Sequence, residues 1–253
     1  VGHYSKIVLD KSIRRKLQKM GEELYVSAGT EPDALTLLDD VSQRIAKLQG
    51  RQSGGDVEQL GEIATEEIGR MQKEARGEAP TGLSTGFGRL DCLLRGLRGG
   101  QLVIVGARPG VGKTSFALSV ALNAALEQKK RVLFVSLEMS KEQIARRALS
   151  MLSGISMDRL LKDNDWAEMQ FFANEMIKNN LLIVDRGHMT PPQLRLRGQS
   201  LKLQGGLDLI VVDYLQLLRS GERHGGRVEE VGAISRGLKL MARDLGVPVL
   251  VPC

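Results

Sequence analysis

The chain has 253 residues, of which 42% are hydrophobic, 26% charged and 4% aromatic; that balance suits a globular protein of one large or two modest domains with an aliphatic core. No apolar run approaches the ~18 residues of a membrane-spanning helix, and the opening Val1-Gly-His-Tyr-Ser-Lys6 carries no signal-peptide pattern. Two isolated cysteines, Cys92 and Cys253, point to a reducing compartment and away from a zinc site. The absence of an initiator Met suggests a fragment or a processed chain. The formal charge of +6 is uneven: residues 1–80 hold 12 Lys/Arg against 14 Asp/Glu, and residues 81–253 hold 24 against 16. The basic excess suits either a solvated surface or a polyanion partner.

The first predicted element is a helical hairpin. Leu9, Ile13, Leu17, Met20 and Leu24 fall on one helical face. Ser27-Ala-Gly29 interrupts it. Thr30 then serves as an N-cap before Glu31, Pro32 and Asp33, and Leu35, Leu38, Val41, Ile45 and Leu48 form a second apolar face. Two short helices cannot bury both stripes alone. Gln49 to Gly55 is a flexible linker by composition. A third helix is predicted over 57–76, with a narrow stripe of Val57, Leu60, Ala64, Ile68, Met71 and Ala75. Flexible segments flank it, so it needs a docking surface, on its own domain or on an adjacent subunit.

From Leu83 the pattern becomes α/β. Strands are predicted at 101–106, 131–136, 181–185, 207–213 and 247–251. Helices are predicted at 114–128, 141–153, 165–178, 191–204 and 228–244. Strands that are apolar on both faces and alternate with helices imply a mainly parallel sheet covered on both sides. In such a sheet ligands bind beyond the carboxyl ends of the strands.

The first of those ends carries Ala107-Arg108-Pro109-Gly110-Val111-Gly112-Lys113-Thr114, followed by Ser115. A Gly-rich loop between strand and helix aims backbone N–H groups and a helix N-terminus at one anion. Lys113 supplies a cation for the β- and γ-phosphates, and the Thr114 hydroxyl is placed to ligate Mg²⁺. Ala107 stands where the strict pattern has Gly, which is tolerable if its φ is negative. Asp213 ends the fourth strand, where a carboxylate is expected to serve the Mg²⁺ of a bound nucleoside triphosphate. Glu138 lies two residues past the second strand. It suits either a base for the attacking water or an acid favoured near a helix start. Asp185 reads as a turn or helix-start residue, and His188 as an exposed loop residue. Arg219, Arg223 and Arg227 sit in a Gly-rich basic stretch that is either a surface loop or a grip on a phosphodiester backbone.

Five motifs in order then resemble the DnaB-type replicative DNA helicase of bacteria. They are Thr85-Gly-Phe-Gly-Arg-Leu-Asp91, Leu97 through Thr114, Ser136-Leu-Glu-Met-Ser140, Val211-Val-Asp-Tyr-Leu-Gln216, and Glu230 to Lys239 with Ala242 to Val249. The resemblance implies a RecA-like P-loop motor over 83–253, a linker with a docking helix over 50–82, and the end of a helical N-terminal domain over 1–49. It implies an ATP- and Mg²⁺-dependent homohexameric ring that unwinds DNA with 5′→3′ polarity, threads single-stranded DNA, works with primase and a helicase loader, and resides in a bacterial or phage-like cytoplasm. By matching position, Glu138 becomes the catalytic base, Asp213 the Walker B acid, and Arg147 a contact near the nucleotide base. Arg219, Arg223 and Arg227 fall in a channel-facing DNA loop, and the helix at 57–76 docks on a neighbour. The family continues past Cys253 with a sensor Gln, a second DNA loop and an arginine finger, so the resemblance implies an ATPase domain incomplete at its C-terminus. Such a fragment is expected to be inactive alone. The competing readings are a RecA-like ATPase that binds DNA or protein without unwinding, and a binding module with an inert ATPase. The Asp-Tyr-Leu-Gln segment favours the helicase.

Overall fold

The computed structural model describes residues 59–76, 82–108, 110–156, 166–177, 180–215 and 226–253, together with 15, 18–25, 27, 159 and 218. Residues 18–25 are helical, as the first half of the hairpin requires. The second half, the linker at 49–55, Pro109, Arg219 and Arg223 lie outside the described residues. Contacts divide the chain into two units, Val1–Gly69 and Arg70–Cys253. Helix α1 (Leu60–Ala75) runs across that boundary, and none of its residues is buried. Among the described residues, no helix is long and apolar enough to cross a membrane.

The second unit is built on five strands: β1 (Leu102–Val105), β2 (Val132–Ser136), β3 (Leu181–Asp185), β4 (Leu209–Asp213) and β5 (Val249–Pro252). They pair in the order β1-β5-β4-β2-β3, and every pairing is parallel. The helices between them are α2 (Gly88–Leu94), α3 (Lys113–Leu122), α4 (Lys141–Ser153), α5 (Trp166–Ile177), α6 (Pro191–Gly205) and α7 (Arg227–Leu245). Of these, only α2 was not foreseen from the sequence.

Side chains along a strand alternate between faces, and each strand splits accordingly between two cores. Leu133, Val135, Ile210, Val212, Val249 and Val251 pack with Leu194 of α6 and with Ile234, Leu238 and Met241 of α7. Val132, Phe134, Leu209, Val211 and Leu250 pack on the other face with Leu118 and Ala121 of α3 and Ile144 of α4. Central β4 is wholly buried. Helix α3 shows little amphipathic contrast because it is apolar nearly all round, and Ala117, Leu118, Val120, Ala121 and Leu122 are all buried.

A π-helical turn over Asn123–Glu127 continues α3. The side chains around it hold the start of the domain. Asn123 Nδ2 and Gln128 Nε2 donate to the Ser84 carbonyl at 3.0 and 2.8 Å, and the Ser84 N–H donates to Gln128 Oε1 at 3.0 Å. The same segment wraps Asp91 in the first turn of α2. Ser84 Oγ donates to Oδ2 at 2.7 Å. The Thr85 N–H and Oγ1 donate to Oδ1 at 2.8 and 2.7 Å. Burial pushes the Asp91 carboxyl up, but these hydrogen bonds outweigh it and hold the group below its ordinary value.

Polar groups are also spent on structure where the strands begin. The Arg131 N–H donates to Asp208 Oδ2 at 2.8 Å, and the Asp208 N–H returns a bond to the Arg131 carbonyl. Lys202 Nζ donates at 2.5 Å to the Leu245 carbonyl, setting a cation at the C-terminus of α7 where the helix dipole favours one.

Candidate nucleotide-binding site

The loop between β1 and α3 is anchored at its base by the neighbouring strand. The Cys253 N–H donates to the Val105 carbonyl at 3.0 Å, and the Ala107 N–H donates to the Cys253 carbonyl at 3.1 Å. Among the described non-glycine residues only Arg95 and Lys129 have positive φ, so Ala107 meets the condition that its substitution for Gly requires. Gly110 and Gly112 take φ of +80° and +100°, a region open to glycine at little cost. A Cβ at either would meet no atom within 4 Å, so it is the positive φ, and no steric contact, that asks for glycine at both positions. Gly112 is the N-cap of α3 and makes no side-chain cap, which leaves first-turn N–H groups available to a ligand. Lys113 Nζ arches back to the Ala107 carbonyl at 2.8 Å.

Glu138 is presented by a tight turn after β2. Ser136 Oγ donates to the Met139 carbonyl at 2.6 Å, and the Met139 N–H donates back to Ser136 Oγ at 3.1 Å. The Leu137 N–H donates to the Asp213 carbonyl at 2.8 Å, tying this turn to the end of β4. Glu138 itself is exposed. Immediately beyond it, Ser140 and Gln143 form a capping box at the start of α4. Asp185 is a helix-start acceptor, though for α4 rather than for the chain that follows it: its Oδ2 takes the Lys141 N–H at 3.1 Å.

Asp213 is 1% exposed, and neither carboxylate oxygen has a hydrogen-bond partner. Burial, reinforced by the charge of Glu138, raises its pKa. The Thr114 hydroxyl, close by but outside hydrogen-bonding geometry, and the charges of Arg147 and Lys113 pull the other way without cancelling the effect. A buried carboxylate with both oxygens unsatisfied is costly unless a cation completes it. Among the described residues, no cluster of three or more His, Cys, Asp or Glu could cage a metal. The donor set fits Mg²⁺, which keeps its waters and takes one or two protein oxygens alongside phosphate. Thr114 and Asp213 are the residues that would hold it.

These groups face one cavity of about 620 Å³. The loop and α3 contribute Gly110, Gly112, Lys113, Thr114 and Ser115, and Glu138, Arg147, Asp213 and Tyr214 close the other side. Arg147 lines the same cavity, and its charge acts on the Asp213 carboxyl. Arg108 and Val111 of the loop are exposed and do not line the cavity, and neither does Ala107. His188 is exposed and away from it. Arg227 is the first residue of α7, exposed, with Nη1 2.7 Å from Glu230 Oε2. Tyr214 is the lining residue that sequence reasoning passed over. The rule that ligands sit beyond strand ends, applied one residue past Asp213, would have found it.

A parallel sheet with a phosphate-binding loop after β1 and an unsatisfied carboxylate at the end of the central strand defines a RecA-like P-loop ATPase fold. A family model for the DnaB-like helicase C terminal domain matches residues 82–253. The replicative DNA helicase DnaB of Leifsonia xyli subsp. xyli is 35% identical over 255 residues, covering 98% of this chain and 56% of that protein. The chain belongs to the DnaB-like replicative helicase family, and it spans just over half the length of the curated relatives it matches. A solved DnaB-like replicative helicase, described with its primase interactions, shares the fold at 23% identity and a TM-score of 0.78, covering 98% of this chain and 57% of that one. A solved ATPase domain aligns at 27% identity with a TM-score of 0.71, over 78% of this chain and 71% of that one.

Proposed function

We propose that this chain is the motor portion of a replicative DNA helicase subunit that couples ATP hydrolysis to movement on single-stranded DNA and to duplex unwinding. The observation that carries the reading is the buried, unpartnered Asp213 carboxylate facing a phosphate-binding loop in one cavity, in a chain of this family. The loop from Ala107 to Ser115 binds the triphosphate through Gly110, Gly112, Lys113, Thr114 and Ser115, which line the cavity, with Lys113 as the cation at the β- and γ-phosphates. Thr114 and Asp213 hold Mg²⁺, which screens phosphate charge when bound. Glu138, exposed at the cavity edge, accepts a proton from the attacking water. Arg147, which lines the cavity, contacts the nucleotide near its base.

The finer assignments follow from the same reading. Residues 1–49 end an N-terminal helical domain, 50–82 form a linker, and 83–253 are the motor. The exposed apolar side chains of α1 (Leu60, Ile68 and Met71) dock on a neighbouring subunit of a hexamer. Arg219, Arg223 and Arg227 contact the DNA backbone. Primase and a loader are partners, and the protein works in the cytoplasm.

The test is strand displacement by the full-length protein with ATP and Mg²⁺, alongside its mass in solution. A sixfold species that displaces a strand, with displacement lost in Lys113→Ala, is the expected result. ATP hydrolysis without displacement under any substrate geometry would leave an ATPase and remove the helicase.

A further inference from the structure

We propose that Tyr214 is a specificity-determining residue of this cavity, whose phenolic hydroxyl donates a hydrogen bond to the terminal phosphate of a nucleoside triphosphate and so separates triphosphate from diphosphate. The proposal rests on the nucleotide-binding reading above.

The pairing of β2 with β4 places the residue. Ser136 is in register with Asp213, and the Leu137 N–H bonds to the Asp213 carbonyl, the carbonyl of the peptide that leads into Tyr214. The chain leaving β4 at Tyr214 therefore runs beside the turn that presents Glu138. Both residues line the cavity, together with the phosphate loop and Asp213. Glu138 is the group assigned to the water that attacks the terminal phosphate, so its neighbour on the next strand stands at the same end.

The backbone on either side of Tyr214 is held firmly. Asp213 is buried before it, and Leu215 and Leu218 are 4% and 1% exposed after it, both in the core beneath α7. Tyr214 itself is half-buried, and its side chain makes no hydrogen bond to a described residue. A rigid ring on a fixed backbone at the cavity wall has few rotatable bonds to immobilise when its hydroxyl meets a ligand. The charges around it give the hydroxyl a task. Glu138 and Asp213 repel a phosphate oxygen, and Lys113 and Arg147 attract one. A neutral donor beside Glu138 can bind the terminal oxygen there without adding to that charge balance. A diphosphate lacks the oxygen it would reach.

The experiment compares wild type with Tyr214→Phe in the full-length protein, which keeps the ring and removes only the hydroxyl. Binding of ADP and of a non-hydrolysable ATP analogue is measured with Mg²⁺, together with steady-state hydrolysis and thermal stability. The expected result is a loss of roughly tenfold in analogue affinity, a lower kcat, and unchanged ADP affinity and stability. Equal losses for both nucleotides would mark a packing role and overturn the proposal, as would an unchanged ratio. If wild type binds neither nucleotide, the nucleotide reading itself fails. If wild type binds both and Tyr214→Phe matches it, only the assignment of Tyr214 fails.

Discussion

Two aspartates in this domain, one partly buried and one fully buried, are treated in opposite ways by their surroundings. Asp91 sits in a turn where Ser84 and Thr85 supply three donors within 2.8 Å, and its carboxyl is held below the ordinary value. Asp213 ends the central strand with no donor in hydrogen-bonding geometry on either oxygen, the Thr114 hydroxyl being only nearby, and its carboxyl is raised. The first arrangement is complete in itself and closes a loop. The second is complete only when something outside the chain supplies positive charge. Burial without local satisfaction separates a carboxylate that awaits a ligand from one that builds the fold.

The widest separation between the two regions is expected in turnover. Glu138→Gln at the Asp213 end should lower ATP hydrolysis by at least about 100-fold, in line with loss of a general base, while leaving ATP binding intact. Steady-state hydrolysis and equilibrium binding in the full-length protein check this, and unchanged turnover would move the base elsewhere. Asp91→Ala should leave both nearly untouched.

Stability should then invert the order. Asp91→Ala strands the Ser84 and Thr85 donors and should cost about 2 kcal/mol, read as a lower midpoint in thermal or urea unfolding. Asp213→Asn removes an unpaired buried charge and should raise the stability of the metal-free, nucleotide-free protein by about 1 kcal/mol. The same variant should lose the stabilisation that Mg²⁺ with ATP gives wild type. Destabilisation of the metal-free protein by Asp213→Asn would show that the carboxylate has a partner after all.

The smallest effect, and the sharpest in sign, is the pH dependence of metal-free stability. The folded pKa of Asp213 is raised, so its contribution is full below the unfolded carboxylate value near ~3.9 and is lost as pH climbs through the folded value. The folded pKa of Asp91 is lowered, so its contribution is present above ~3.9 and is lost as pH falls through the folded value. The stability advantage of Asp213→Asn over wild type should therefore grow as pH rises from about 4 toward neutrality, and saturating Mg²⁺ with nucleotide should reverse it. A difference that stays flat with pH would contradict the raised pKa of Asp213.

Much of this was legible in the sequence because the signals are local. Strands such as Leu209–Asp213 and Leu181–Asp185 are short aliphatic runs ended by an acid, and helix Lys141–Ser153 has the bounds its pattern predicts. The phosphate loop is contiguous, and Ala107 kept the negative φ expected of it. What stayed hidden depends on residues distant in the chain. Helix α2 has no side-chain N-cap, and its first turn is secured by Asp91 turning back to a preceding loop. Asp185 reaches a helix that begins 44 residues earlier. Gln128 grips Ser84 across the same span of 44 residues, by way of a π-helical turn that no periodicity reveals.

The alternation of β4 between two cores has a consequence for how the gene can change. Leu209 and Val211 face α3, and Ile210 and Val212 face α7. Exchanging one branched aliphatic residue for another leaves that assignment intact. Inserting or deleting a single codon does not, because every side chain beyond it swaps faces and the carboxylate moves by one position relative to Ser136. The strand should tolerate wide variation in spelling and almost none in length.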